Sequence, residues 1–410
     1  MKHIRTSCKS SKWASSYGPV CAVCCLLCVA CFNCSPPSQT SGWSKTYGGT
    51  SYDCGRCVRQ TSDVGYIVAG ETYSSGPAPT NGSSFYLIKT DASGETLWTR
   101  AYGPYASGYS VEQTPDGGYI SVGNTSYLSA GYTDVYLIKT DAHGITVWTR
   151  TYGGEHYDWG HDVRRTSDGG YIVVGVTSFS NTGGGDIYLL KVNDQGDTLW
   201  TRTYGGANVD ARYSVRRTSD GGYIIVGGTQ WSGAGGFDVY LIKTNAQGDS
   251  LWTRTYGGTD DDAGYSVEQT KDGGYIVAGC TYSFGQGTPA YDNVYLIKTN
   301  AQGDTLWTRT YGGANYDEGR SVQQTSDDGY IVVGSTNSFG AGISDVYLIK
   351  TDGQGDTLWT RTFGGPSGDF GYSVQQTSDG GYIIAGQALS FGAGEGDVYL
   401  IKTNADGNIK

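Results

Sequence analysis

The chain has a single methionine and few leucine-rich runs among its 410 residues, which argues against a helical core. Long apolar runs are missing too. The longest, Val20–Ala30, is eleven residues, against roughly 20 needed to span a bilayer. Cysteine is scarce in the body of the chain. Seven of ten lie before residue 35, and the remaining Cys54, Cys57 and Cys280 are too few for a disulfide framework. Basic groups are also in short supply. Without the first thirty residues, which carry Lys2, Arg5, Lys9, Lys12 and no acid, 24 basic groups face 39 acidic ones and the net charge goes from −11 to −15. Such a surface repels phosphate backbones, so nucleic acid is excluded as a partner, whereas a cation or neutral glycan is not. No Ser-His-Asp order, phosphate-cradling glycine loop or dinucleotide fingerprint occurs.

What the chain does have is glycine (66), tyrosine (34) and a repeat. The phrase WTRTYGG returns with its tryptophan at Trp43, Trp98, Trp148, Trp200, Trp252, Trp307 and Trp359. GYIVxG keeps step at Tyr66, Tyr119, Tyr171, Tyr223, Tyr275, Tyr330 and Tyr382, and DVYLIKT at Tyr86, Tyr136, Tyr188, Tyr240, Tyr295, Tyr347 and Tyr399. A fixed period of this length marks units that cannot bury their own apolar faces and must stack on neighbours. Within one unit, SVQQT (321–325), YIVVG (330–334), DVYLIKT (345–351) and DTLWTRTF (356–363) read as four strands joined by hairpins, with no room for a helix. The fold class that follows is all-β: a seven-bladed β-propeller of four-stranded antiparallel blades over residues 42–410. The last unit stops at NADGNIK before any WTRTYGG strand, and the first such strand, Trp43–Gly49, precedes every complete unit. Closure of the last blade by this N-terminal strand removes both anomalies and leaves no free sheet edge.

The basic residues 1–18 followed by the apolar run resemble a secretory signal over 1–30, with a short linker over 31–41. Cys28-Val29-Ala30-Cys31 resembles a bacterial lipobox, which implies Cys31 as the lipidated residue. The lipobox prefers Leu where Cys28 stands. The alternative is simple cleavage after Ala30. Export to the periplasm, cell surface or medium is the expectation, with membrane contact only through such an anchor.

The stretch VYLIKTNAQGDTLWTRTYGG (294–313) is similar to the tryptophan-docking repeat of quinoprotein-type propellers, and the whole unit resembles repeat proteins of exported bacterial and archaeal surfaces. Its turn also resembles the Asp-box of sialidases and propeller endoglucanases. It departs from that box, since two residues separate Asp and Gly and the tryptophan is displaced. These resemblances imply the fold, and no catalytic residue is carried over from them.

Strands that run up and down place the two long, variable loops of every unit on one face, where binding residues sit on rigid scaffolds. An acid recurs there at Asp53, Asp158, Asp210, Asp262, Asp317 and Asp369, with Ala106 in the second unit. As ligand groups, Asp158, Asp210, Asp262, Asp317 and Asp369 would bind sugar hydroxyls or cations, joined by the loop aromatics Trp159 and Trp231. As structural groups, the same acids would bond their own turn amides. The third unit is irregular. His156, Asp158, His161 and Asp162 crowd within seven residues, and imidazole with carboxylate suits zinc or another divalent cation. Cys54 and Cys57 form a CxxC with no helix behind it, consistent with a local disulfide or two drifted positions. Glu112, Arg164, Arg216 and Glu268 occupy one position of successive inner strands and offset each other's charge in the channel. The expectation is a monomeric binding or scaffold module for a protein or glycan, without a required cofactor. The alternatives are a carbohydrate-active enzyme and an envelope-assembly lipoprotein.

Overall fold

The computed structural model describes residues 42–76, 82–127, 129–178, 185–206, 210–230, 233–285 and 291–409. The expected signal, Cys31 and the whole of the linker over 31–41 lie outside these. Twenty-eight strands form seven four-stranded antiparallel sheets, and no helix occurs among the described residues. The fourth blade runs Asp210–Arg217, Tyr223–Thr229, Asp238–Thr244 and Ser250–Tyr256 from channel to rim. Its middle strands are near-continuous runs of Val, Ile and Leu because both of their faces are covered, whereas the outer strand alternates toward water.

Closure occurs as expected. Trp43–Tyr47 pairs with Asp397–Thr403, Trp43 opposite Lys402, and completes the seventh blade. The buried apolar residues fall into seven clusters, each shared by two adjacent blades. One joins Ile224, Val226, Val239 and Leu241 of the fourth blade to Val267, Tyr275, Val277 and Ile297 of the fifth. The core is thus a ring of interfaces, and no blade owns its own.

The recurring tryptophan is the wedge between blades. Trp252 packs edge-on against Tyr275 of the next blade, with centroids 5.9 Å apart. Its ring lies on Gly303, where φ is +80° and a Cβ would come within 2.8 Å of the indole. Tyr256 donates from its hydroxyl to the Gly303 carbonyl at 2.6 Å. The turn itself is held by Asn300, whose Oδ1 accepts from the Gln302 and Asp304 amides at 2.9 Å each. On the same face, a buried lysine of the third strand reaches the aspartate of the first hairpin, as in Lys243–Asp220 at 2.8 Å. These tight turns fill one face and leave the opposite face to the long loops.

Around the channel six of the seven inner strands bulge after a glycine, and the fourth bulges between Ala211 and Ser214, so the residues that follow form rings. Ser266 accepts from the Val322 amide at 3.2 Å, Ser321 from Val374 at 3.3 Å and Ser373 from Val58 at 3.2 Å, stitching blade to blade. The next charged ring lines a cavity of about 350 Å³ containing Arg59, Glu112, Arg164, Arg216 and Glu268. The charges expected to balance there are joined by Arg59 and by Asp162.

Candidate functional site

The recurrent acids are turn anchors. Asp53, Asp158, Asp262, Asp317 and Asp369 are buried. Each accepts from the amide four residues earlier, at 2.9 Å for Asp158 and 2.8 Å for Asp262, Asp317 and Asp369. Loop serines add a second bond, Ser283 to Asp262 at 2.7 Å and Ser338 to Asp317 at 2.6 Å. At several junctions the acid also meets the first acid of the preceding blade's third strand. A Cβ on Gly153 would lie 2.5 Å from Asp134 Oδ1 and 2.7 Å from Asp158 Oδ2. Where Ala106 replaces the one, Ser84 replaces the other. Among the described residues these acids are thus engaged by their own turns, the structural role that the sequence also allowed. The Asp210 side chain and Trp231 lie outside the described residues.

The four residues expected to hold a metal are spread over the rim and the channel. Among the described residues no group of three or more His, Cys, Asp or Glu side chains is placed to hold a metal ion. Asp158 holds its turn, and the strand carries the other three away from it. His156 stacks on Tyr132 at the rim, with centroids 6.2 Å apart, while His161 lies 5.2 Å from Tyr109 at the channel mouth. Asp162 replaces a serine of the stitching ring and pairs with Arg164 at 3.0 Å and Arg216 at 2.7 Å. Burial alone would raise its carboxyl, but Arg164, Arg216 and Arg59 outweigh that and hold it at about 2. Cys54, Cys57 and Cys280 are buried free thiols, and burial pushes Cys54 up to about 12, which leaves no thiolate for redox chemistry.

Trp159 stands at the variable face beside an aromatic row. It lies 5.7 Å from Tyr157, which stacks on Tyr132 at 5.0 Å. Tyr132 is 61% exposed, so the row is open to solvent.

A pocket on the same face, between the fourth, fifth and sixth blades, was not anticipated. It is a cavity of about 450 Å³ lined by Phe237, Tyr265, Tyr282, Cys280, Asp292 and Glu318, among others, with Arg320 at its edge. Arg320 pairs with Glu318 at 2.6 Å and lies 4.5 Å over the Tyr265 ring. Tyr265 shares a hydrogen bond of 3.2 Å with Cys280. Asp292 is only 7% exposed, yet its Oδ1 has no hydrogen-bond partner. Burial, and then the charge of Glu318, raise its carboxyl to about 6. Burial pushes Tyr282 and Cys280 up to about 12, so both are neutral there. The repeat held the clue. Five other units begin the third strand with Asp, as at Asp238 and Asp345, whereas here Asn293 takes that place and the acid falls one residue earlier. Glu318 and Arg320 of the sixth unit stand where the fourth and fifth carry alanine and tyrosine, and Cys280 of the fifth stands where the fourth carries Gly228 and the sixth Ser335.

No protein-family profile matches the chain. It is 27% identical over 243 residues to the regulatory protein FlaEY of Caulobacter vibrioides, an alignment covering 51% of this chain and 25% of that protein. The matched region is thus a quarter of the length of the curated relative. Similar solved structures include the polysaccharide lyase Uly1, with a TM-score of 0.53 at 11% identity, covering 86% of this chain and 90% of that one. Streptogramin B lyase gives 0.50 at 10% identity, covering 89% and 99%, and the WD40 domain of Neurospora crassa Pan2 gives 0.50 at 10%, covering 85% and 89%. At these identities the likeness is one of fold, and the shared fold is the β-propeller.

Proposed function

We propose that this chain is an exported, non-catalytic binding module that takes a glycan on its variable loop face. The observation that carries the reading is the pocket of about 450 Å³ with aromatic walls and a buried carboxylate oxygen lacking a partner. Concave sites with apolar walls and a few fixed polar groups are how folded domains hold small ligands. The exposed row of Tyr132, Tyr157 and Trp159 supports it, because ring faces stack on the C–H faces of sugars. Export rests on the signal-like N-terminus. A glycan array probed with the purified chain tests the reading. Binding that Tyr282→Ala abolishes supports it, and an array without any bound glycan refutes it.

One observation favours a carbohydrate-active enzyme instead. Asp292 and Glu318 share the pocket, with Asp292 raised to about 6 and Glu318 held by Arg320. Two carboxyl groups facing one cleft serve as acid and base in glycoside hydrolysis. Release of reducing sugar from an array-positive glycan, lost on Asp292→Asn, would establish that reading in place of simple binding.

A further inference from the structure

The pocket between the fifth and sixth blades is unbalanced in charge. Asp261, Asp292 and Glu318 line it against the one guanidinium of Arg320. Two of the three acids are already engaged. Glu318 holds Arg320 at 2.6 Å, and Asp261 accepts from the Phe237 amide at 2.8 Å. Asp292 Oδ1 is not engaged, although the residue is only 7% exposed.

Its position explains this. Side chains alternate between the two faces of a strand, so moving the acid one residue ahead of Asn293 turns it away from the turn that anchors Asp238 and its counterparts. The carboxyl accepts from its own amide and from the Cys280 thiol, while Oδ1 is left without a partner in the cavity. Phe237 and Tyr282 line the same space.

We propose that this pocket takes the primary ammonium group of an amino sugar, which donates to Asp292 while its pyranose ring lies against Phe237 and Tyr282. The inference rests on the glycan-binding reading and narrows it to an aminated saccharide. An ammonium supplies three donors and a positive charge, which fills the empty acceptor and offsets the second acid; a neutral hydroxyl supplies one donor and no charge. The groups facing Asp292 from the surrounding strands are Glu318, Arg320, Cys280 and Tyr282, with Asp261 in the same cavity. The thiol and phenol are neutral below about 12. Asp292, raised to about 6 by burial and then by the charge of Glu318, changes charge as pH moves from 5 to 7. The ammonium requires it ionised, so affinity rises with pH across that window until the ligand's own amine deprotonates.

The test is calorimetric titration of the full chain with a glucosamine tetramer and with its fully N-acetylated counterpart, which keeps the ring and removes the charge. The amine form is expected to bind at least tenfold more tightly at pH 7, and to weaken about tenfold per pH unit below 6. Asp292→Asn is expected to bring both ligands to equal affinity and to remove the pH dependence. A thermal melt checks that this variant is folded. Equal binding of the two tetramers by the unaltered chain, or a flat pH profile, overturns the ammonium assignment and leaves the glycan reading standing. Absence of binding by both tetramers also overturns it, and an empty glycan array in addition removes the reading beneath it.

Discussion

Replacing Trp252 with alanine removes one of seven equivalent wedges, and its cost can be worked from the contacts around it. An indole in this position takes about 150 Å² of apolar surface out of water, which at about 25 cal per Å² is about 4 kcal/mol. The edge-on contact with Tyr275 adds about 0.5–1.5 kcal/mol. The Arg254 guanidinium, 5.6 Å over the ring, sits at the wet outer edge and contributes about 0.5 kcal/mol. These sum to about 5–6 kcal/mol as an upper limit, and the half-buried ring already keeps part of its area in water, which lowers the loss. The expected loss is about 3–5 kcal/mol, localised to the junction of the fourth and fifth blades. Urea unfolding followed both by circular dichroism and by fluorescence of the remaining tryptophans measures it. A milder companion, Tyr256→Phe, deletes only the bond to Gly303 and should cost about 1 kcal/mol. An unaltered midpoint for Trp252→Ala would mean that the ring is not a wedge, and the ring-of-interfaces account of the core would fall with it.

Deleting residues 42–47 should lower the melting temperature and drive association, because Asp397–Thr403 would present an unpaired edge; light scattering during a melt checks both. Asp162→Asn should destabilise by about 3–5 kcal/mol by leaving Arg164 and Arg216 buried without their partner. The folded carboxyl of Asp162 lies at about 2, below its ordinary value, so its contribution is present above about pH 4 and is lost as pH falls through 2. Acid titration of the two proteins should therefore converge at the low end. Asp292 has the opposite sign. Its folded carboxyl is raised to about 6, so the unaltered chain loses stability as pH rises through 6, and Asp292→Asn should be more stable by about 1–3 kcal/mol at pH 8 and equal near pH 3. Melting temperatures compared at those two values decide it.

The fold was legible because each unit repeats the same local instructions. DVYLIKT over 345–351 coincides with its strand, and YIVVG extends by two residues to Thr336. SVQQT lengthens backward to Asp317, since the bulge after Gly319 lets the acid and glycine join the strand before the run of apolar residues begins. Closure was legible from the arithmetic of strands. The site was not. Histidines drew attention to the third unit, yet the strand carries His161 to the channel mouth and Asp162 into the ring of arginines. The residues that do converge, Asp292, Glu318 and Arg320, come from two different blades and carry no spacing motif. Their signal was departure from the repeat, above all the one-residue displacement of Asp292 before Asn293. Departure of that kind marks a position without saying which neighbours it will meet, because blade-to-blade packing decides that.

The pairing of Trp43 with Lys402 has a temporal side. At roughly 5–20 residues per second, about 360 residues of synthesis separate the two strands by roughly 20–70 s. Throughout that interval the first strand is unpaired, and the first and the latest blade made each lack one neighbour. The ring can lock only after its last member arrives, so for this chain the slow step of folding is a contact between the earliest and latest strands rather than any hairpin within a unit.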